Sequence, residues 1–146
     1  MEKSKKSQPT IIDAKGLILG RMASKIAKLL LNGESIVIVN AEEAVISGKM
    51  QAIIRDRERF LQIGHHRKGP IHPRTPEGIV KKVIRGMLPR KKSRGIEAIK
   101  RLKVYTGIPE EFKDSSKITL AEVDASNLRC SYIKIADVAY NFGWKE

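Results

Sequence analysis

The feature that most constrains the fold is one uninterrupted apolar run, Ser35-Ile36-Val37-Ile38-Val39-Asn40. β-branched residues favour strands, and a strand without alternating polar residues is buried on both faces. Such strands are typical of parallel sheets that carry helices on their faces. The run therefore predicts a central strand of a parallel sheet.

The segments around this run change period. Thr10-Ile11-Ile12-Asp13 predicts a short strand, and apolar residues recur at helical spacing between residues 21 and 30. Asn32-Gly33 should end that first helix. A second helix is expected to begin near Ser47 and to carry four apolar side chains inward: Ile53, Ile54, Phe60 and Leu61. The order strand–helix–strand–helix predicts an α/β fold with a parallel sheet.

The second half of the chain begins irregularly, because prolines and glycines exclude regular structure from about residue 64 to 75. Thr75-Pro76-Glu77 then has the form of a helix start, and Gly86 and Pro89 should end that helix. A short helix, a strand at residues 117–121 and a last helix stopped by Gly143 should follow. We expect one domain over residues 1–146, with a basic flexible tail at residues 1–9 and a basic extension at residues 64–103 within the domain.

Positive charge is concentrated in one part of the chain. The whole sequence has 29 Lys and Arg against 16 Asp and Glu, a net charge of +13. Residues 65–103, here called the basic window, hold thirteen Lys and Arg against two Glu and so carry +11 of that charge. A dispersed excess would indicate only a solvated face, whereas this concentration favours a site for a polyanion such as nucleic acid.

Motifs that carry chemistry are weak. The glycines of Gly16-Leu17-Ile18-Leu19-Gly20-Arg21 lack the spacing of a phosphate loop, so a plain turn is favoured. The adjacent His65 and His66 should point to opposite sides, which disfavours a metal site. Cys130 is interpreted as a core or interface thiol, and Glu42 and Glu43 as first-turn acids. No catalytic residue, metal or cofactor is predicted.

The basic window contains no Phe, Tyr or Trp, so stacking of single-stranded bases is disfavoured and contact with phosphates and RNA shape is favoured. The residues predicted to bind RNA are Arg21, Lys25, Lys49, His65, His66, Arg67, Lys68, His72, Arg74, Lys81, Lys82, Arg85, Arg90, Lys91, Lys92, Arg94, Lys100, Arg101 and Lys103.

Several motifs, in one order along the chain, resemble the ribosomal protein L13 family. They are Asp13-Ala14-Lys15-Gly16, Leu19-Gly20-Arg21-Met22-Ala23-Ser24, Val39-Asn40-Ala41-Glu42 and Ser47-Gly48-Lys49. The archaeal and eukaryotic branch is indicated by Arg85-Gly86-Met87-Leu88-Pro89, Arg101-Leu102-Lys103-Val104-Tyr105 and Gly107-Ile108-Pro109.

The resemblance implies a three-layer α/β/α fold with a mainly parallel sheet. It implies a structural component of the large ribosomal subunit that binds large-subunit ribosomal RNA from early in assembly, beside neighbouring ribosomal proteins. It implies no enzyme activity and no small-molecule substrate.

Two other functions remain possible from the residues alone. An RNA-modifying enzyme would need a cofactor or catalytic group at the strand ends. A basic adaptor for anionic membranes or acidic proteins would usually have one basic amphipathic helix. No apolar run approaches the roughly 20 residues that span a bilayer, and a single cysteine is typical of a reducing compartment. The sequence therefore predicts a soluble, cytoplasmic protein without a membrane partner.

Overall fold

The computed structural model describes residues 8–145, so residues 1–7 of the predicted flexible tail lie outside the described part. The strands are β1 (Thr10–Asp13), β2 (Ile36–Val39), β3 (Val45–Ser47), β4 (Leu102–Val104) and β5 (Tyr132–Lys134). The helices are α1 (Leu19–Leu31), α2 (Met50–Gln62), α3 (Pro76–Met87), α4 (Ser93–Lys100) and α5 (Ile135–Asn141). None of the helices described is long and apolar enough to cross a membrane.

The main sheet is parallel and has the order β1-β2-β4. All four residues of β2 are buried, as the apolar run predicts for a central strand. On the outer side of β1, the strand predicted at residues 117–121 is reduced to one parallel bridge between Ile12 and Ile118. Soon after that bridge the chain enters a 3-10 helix, Ala121–Val123, so the pairing with β1 does not extend into a longer ladder.

The two faces of the sheet are covered differently. Helices α1, α3, α4 and α5 share one large core with Ile12, Ile36 and Ile38. On the other face, Ile11 and the two Val residues of β2 are covered by Tyr105, Ile108 and Phe112. The α/β class with a mainly parallel sheet is confirmed, and the layer on this second face is a loop with a single 3-10 turn.

A second, antiparallel pair joins β3 to β5 beside the main sheet. Helix α2 follows β3 and buries none of its residues. The prediction that α2 carries Phe60 inward is wrong, since Phe60 is 53% exposed, while Ile53, Ile54 and Leu61 are half-buried. Helical periodicity identifies the apolar stripe correctly but does not show whether another element covers it.

Candidate nucleic-acid interface

The charges of the basic window lie almost entirely on the surface. Twelve of its thirteen Lys and Arg residues are exposed, and only Arg101 is half-buried. Within residues 8–145, no salt bridge joins any of the thirteen to an Asp or Glu. A cluster of unpaired surface cations repels itself, and a polyanion relieves that repulsion.

Helix α3 separates its apolar and basic residues onto opposite faces. Thr75 caps its first turn by accepting a hydrogen bond from the Gly78 amide at 3.3 Å, and Pro76 occupies the first helical position. Three side chains, Ile79, Val80 and Ile84, are buried. Helical spacing then places Lys81, Lys82 and Arg85 on the solvent side, where all three are exposed.

The turn between α3 and α4, residues 88–92, is here called the basic turn. It presents three more cations, Arg90, Lys91 and Lys92, all exposed. The Lys92 amide donates to the Pro89 carbonyl at 3.0 Å, and the Gly95 amide donates to the Lys92 carbonyl at 3.0 Å. A Cβ atom added at Gly95 would lie 2.2 Å from the Pro89 carbonyl oxygen, so only glycine allows this close approach.

The prediction that Gly86 ends α3 is wrong. The helix continues through it to Met87, and its φ is not positive. Because nothing lies within 4 Å of a Cβ added there, Gly86 is not required by close approach either. The glycine that the basic turn requires is Gly95.

Two predicted RNA-binding arginines contact the end of α1. Arg94 donates to the Leu31 carbonyl through Nε (3.3 Å) and Nη2 (2.9 Å), and Arg101 Nη2 donates to the Leu30 carbonyl at 2.8 Å. The last carbonyls of a helix have no partner within the helix and carry partial negative charge. Arg94 and Arg101 therefore bind within the protein, which leaves fewer of their donors for RNA.

The arm at residues 64–75 is irregular, as predicted, but it contains a tight loop. His65 and Gly69 exchange backbone hydrogen bonds at 3.1 and 2.8 Å. His65 and His66 are both exposed and their rings stack at 4.4 Å, so the prediction that they point to opposite sides is wrong. Arg67, Lys68 and Arg74 are exposed on the same arm.

His72, near the end of this arm, lies in a groove between α2 and α3. Its Nδ1 meets the Lys82 ammonium, which can only donate, so Nδ1 accepts. Burial, then the charges of Lys82 and Arg57, lower the pKa of His72 below its usual value. Burial and Arg57 lower the pKa of Lys82, and burial lowers the pKa of Arg57. These shifts describe two cations and an imidazole crowded into one groove, where no described salt bridge pairs Arg57 or Lys82 with a carboxylate.

Sequence reasoning missed Arg57, because α2 lies outside the basic window. A signal was present: Arg57 follows Ile53 by four residues and precedes Phe60 by three, so it belongs to the apolar face of α2. A cation on that face must sit among apolar side chains, which is where the structure places it, half-buried.

The predicted residues outside the window are more scattered. Arg21 is exposed at the start of α1 and lines a cleft with Val45 and Arg57, whereas Lys25 pairs with Glu122. Lys49 is exposed immediately before α2 and lines a pocket together with Arg55 of that helix. Lys100 and Lys103 are exposed on α4 and β4.

The glycine-punctuated turn before α1 is a structural turn, as predicted. The Gly16 amide donates to the Glu43 carbonyl at 3.1 Å, and the Ile18 amide donates to the Val123 carbonyl at 2.9 Å. Gly16 has a φ of +71°, which favours glycine. Amides that already bond within the protein cannot surround a phosphate.

Polar groups at the carboxyl ends of the parallel strands bond to one another. Asn40 Nδ2 donates to Asp13 Oδ1 at 2.9 Å, and both carboxylate oxygens of Glu42 accept from the Gly107 amide at 3.0 Å. Glu42 and Glu43 lie in a 3-10 turn, Ala41–Glu43, as predicted. Cys130 is exposed, so it is not a core thiol. The part of the chain that the structure describes holds no group of three His, Cys, Asp or Glu able to bind a metal ion.

Comparison with known families gives one match that covers most of the chain. Residues 7–111 match the family described as Ribosomal protein L13. That span contains β1 to β4, α1 to α4 and the whole basic window.

Curated relatives extend the match over nearly the full length. The chain is 49% identical over 138 residues to the large ribosomal subunit protein uL13 of Methanosarcina barkeri, covering 93% of this chain and 99% of that protein. It is 44% identical over 137 residues to the protein of the same name from Methanococcoides burtonii, with 93% and 99% covered. For the one from Archaeoglobus fulgidus the identity is 46% over 138 residues, with 93% and 88% covered. All three relatives are archaeal.

Proposed function

The chain belongs to the ribosomal protein L13 family, and from this membership we propose that it is a structural component of the large ribosomal subunit. It binds large-subunit ribosomal RNA through phosphate and shape contacts, supports assembly of the subunit and lies beside other ribosomal proteins. Its place of action is the ribosome.

One observation carries the RNA-binding part of this proposal: twelve exposed Lys and Arg residues in the basic window, with no carboxylate partner among the described residues. RNA phosphates supply the missing charge, and each contact releases condensed counterions. The cations of α3 and α4 stand on helices with buried faces, so the backbone that carries them is fixed before RNA arrives and less entropy is lost on binding.

The predicted binding residues fall into two groups. The exposed cations of α3 and of the basic turn have no described partner among carboxylates and make the principal phosphate contacts. Arg94, Arg101 and Lys25 already bind other parts of the protein. We assign these three a mainly structural role: Arg94 and Arg101 hold the two ends of α4 against the end of α1, and Lys25 joins α1 to the 3-10 helix Ala121–Val123.

An RNA-modifying enzyme on this fold would use the carboxyl ends of the parallel strands, where α/β enzymes bind their ligands. There, Asp13 bonds to Asn40 and Glu42 bonds to Gly107. These contacts give the loops a structural explanation, and no observation favours catalysis there. The chain acts as a binding protein.

The test removes charge from the basic turn. Arg90, Lys91 and Lys92 are changed together to Ala, and binding to large-subunit ribosomal RNA is measured against salt concentration. Each lost phosphate contact should flatten the log–log slope by roughly 0.7–0.9, so the triple variant should lose about 2–3 units.

A matched control changes three exposed lysines outside the window, Lys15, Lys28 and Lys145, to Ala. This control removes the same charge and should leave most of the slope in place. Equal slopes for the two triple variants would overturn the assignment to the basic window. A wild-type protein that fails to co-migrate with the large subunit on a salt-containing gradient would overturn the function itself.

A further inference from the structure

We propose that the groove between α2 and α3 binds one unpaired nucleotide of the RNA, with its base against the Phe60 ring and its phosphate at Arg57 and Lys82. The inference rests on the proposed function and names a contact within it. Base stacking is the mode that the sequence of the basic window disfavours, because the window contains no aromatic residue. The structure brings an aromatic ring to the window from α2.

The geometry of the groove fits a flat, partly apolar ligand. The groove encloses about 500 Å³, and Ile53 and Val83 contribute apolar walls. Phe60 is 53% exposed, and its ring centroid lies 5.6 Å from that of His72, with the two planes at 56°. An aromatic ring that keeps half its surface in water, beside a second ring, forms a platform on which a base can stack.

The charges of the groove fit a phosphate. Arg57, His72 and Lys82 face it together, and Lys82 contacts His72 directly. Burial lowers the pKa of all three groups, and positive neighbours lower those of His72 and Lys82 further, so a phosphate in the groove would offset repulsion that the free protein carries. Asp56 is the acidic residue of the lining. The Asp56 carboxylate can accept hydrogen bonds but repels a phosphate. The phosphate is therefore assigned to Arg57 and Lys82.

The position of the groove favours RNA over an acidic peptide. Lys82 belongs both to the groove and to the basic face of α3, where Lys81 and Arg85 are exposed. An RNA strand that follows this face reaches the groove without interruption, and a nucleotide supplies the phosphate and the planar apolar group in one unit. A peptide would need an acidic and an aromatic residue at matching spacing.

The experiment uses the full chain and a labelled pentaadenylate RNA as the probe. Phe60→Leu keeps an apolar side chain of similar size but removes the ring, whereas Phe60→Tyr retains an aromatic ring. Because Phe60 is exposed, both variants should fold, which circular dichroism checks. We expect Phe60→Leu to weaken pentaadenylate binding about five- to tenfold and Phe60→Tyr to bind like the wild type.

A second readout follows His72 by its imidazole NMR signals. Pentaadenylate should raise the His72 pKa in the wild type, because a phosphate beside Lys82 and Arg57 compensates the charges that lower it. Arg57→Gln should weaken binding and reduce the salt dependence by one contact.

Equal pentaadenylate affinity of wild type and Phe60→Leu would overturn the inference, as would poly-glutamate binding with the same sensitivity to Phe60→Leu. A blunt RNA duplex should bind wild type and Phe60→Leu equally, because its bases are already stacked. If Phe60→Leu has no effect on pentaadenylate while the basic-turn variant still weakens ribosomal RNA binding, the groove assignment fails and the proposed function stands. If Phe60→Leu leaves pentaadenylate binding unchanged and the basic-turn variant leaves ribosomal RNA binding unchanged, the assignments to the groove and to the basic window both fail.

Discussion

The guanidinium group of Arg94 holds the carbonyl oxygen of Leu31 by two hydrogen bonds, from Nη2 at 2.9 Å and from Nε at 3.3 Å. Leu31 is the last residue of α1, and Arg94 belongs to the first turn of α4. One residue of the most basic part of the chain thus stabilises the end of a core helix. Charged residues of the basic window therefore make contacts within the fold in addition to the RNA contacts proposed for them.

Changing Arg94 to Ala should therefore lower stability. A cation at the end of a helix and a hydrogen bond to an exposed carbonyl each contribute modestly, so we expect a loss of about 0.5–1 kcal/mol by urea denaturation. Arg90→Ala is the control, since Arg90 is exposed and makes no described hydrogen bond. If the two variants unfold at the same urea concentration, the Arg94–Leu31 contact contributes nothing measurable.

Gly95 and Gly86 form a matched pair for a second prediction. Gly95→Ala places a Cβ 2.2 Å from the Pro89 carbonyl and should cost about 1–3 kcal/mol, because the turn and α4 must separate. Gly86→Ala meets nothing within 4 Å and should raise stability by about 0.5–1 kcal/mol, since alanine favours a helix. Thermal denaturation of both variants checks the signs. A stabilising Gly95→Ala would contradict the close approach.

The contrast between these glycines shows what could be predicted from the sequence. Gly86 attracted attention because it stands near Pro89 at the end of a helix, which is local information. The need for Gly95 arises from the way α4 folds back onto the Pro89 carbonyl, and that path depends on the packing of Leu88 and Ala98 in the core. Requirements set by close approach are not visible in a pattern.

The same distinction holds for the fold and the candidate site. The β2 strand and the Thr75 cap were predictable, because a buried strand and a helix start each have a local signature. The basic window was identifiable from charge alone. The groove was not, because Phe60 and His72 are joined only by the path of the arm between α2 and α3. The exposure of Phe60 was equally hidden, since periodicity does not reveal whether a stripe has a partner.

Core substitutions should act on folding and leave the RNA-binding surface unchanged. Ile26 is fully buried in α1, so Ile26→Ala should cost about 2–5 kcal/mol of unfolding free energy. Under conditions where the variant is folded, its affinity for ribosomal RNA and its salt slope should equal those of the wild type. A change in slope at unchanged stability would show that α1 contributes directly to binding.

The last prediction concerns His72 and pH. Burial, Lys82 and Arg57 lower its pKa in the folded protein, whereas the unfolded chain has the ordinary value, about 6.5. Above that value, neither the folded nor the unfolded state binds the proton, so the free energy of unfolding is at its highest with respect to His72. As the pH falls below it, the unfolded state takes up the proton first, so unfolding is favoured until the pH passes below the folded pKa.

His72→Gln can still accept from Lys82 through its amide oxygen, but it does not titrate. The free energy of unfolding, measured by urea between pH 7.5 and 5, should therefore fall more steeply in the wild type than in His72→Gln. His65 and His66 are exposed and present in both proteins, so their contributions cancel in the comparison. Parallel pH profiles would mean that burial and the cations Lys82 and Arg57 do not lower the pKa of His72 in the folded protein. Burial and the charges of Lys82 and Arg57 together cause the difference between the two profiles, and a bound RNA phosphate should reduce it because the phosphate compensates those two charges.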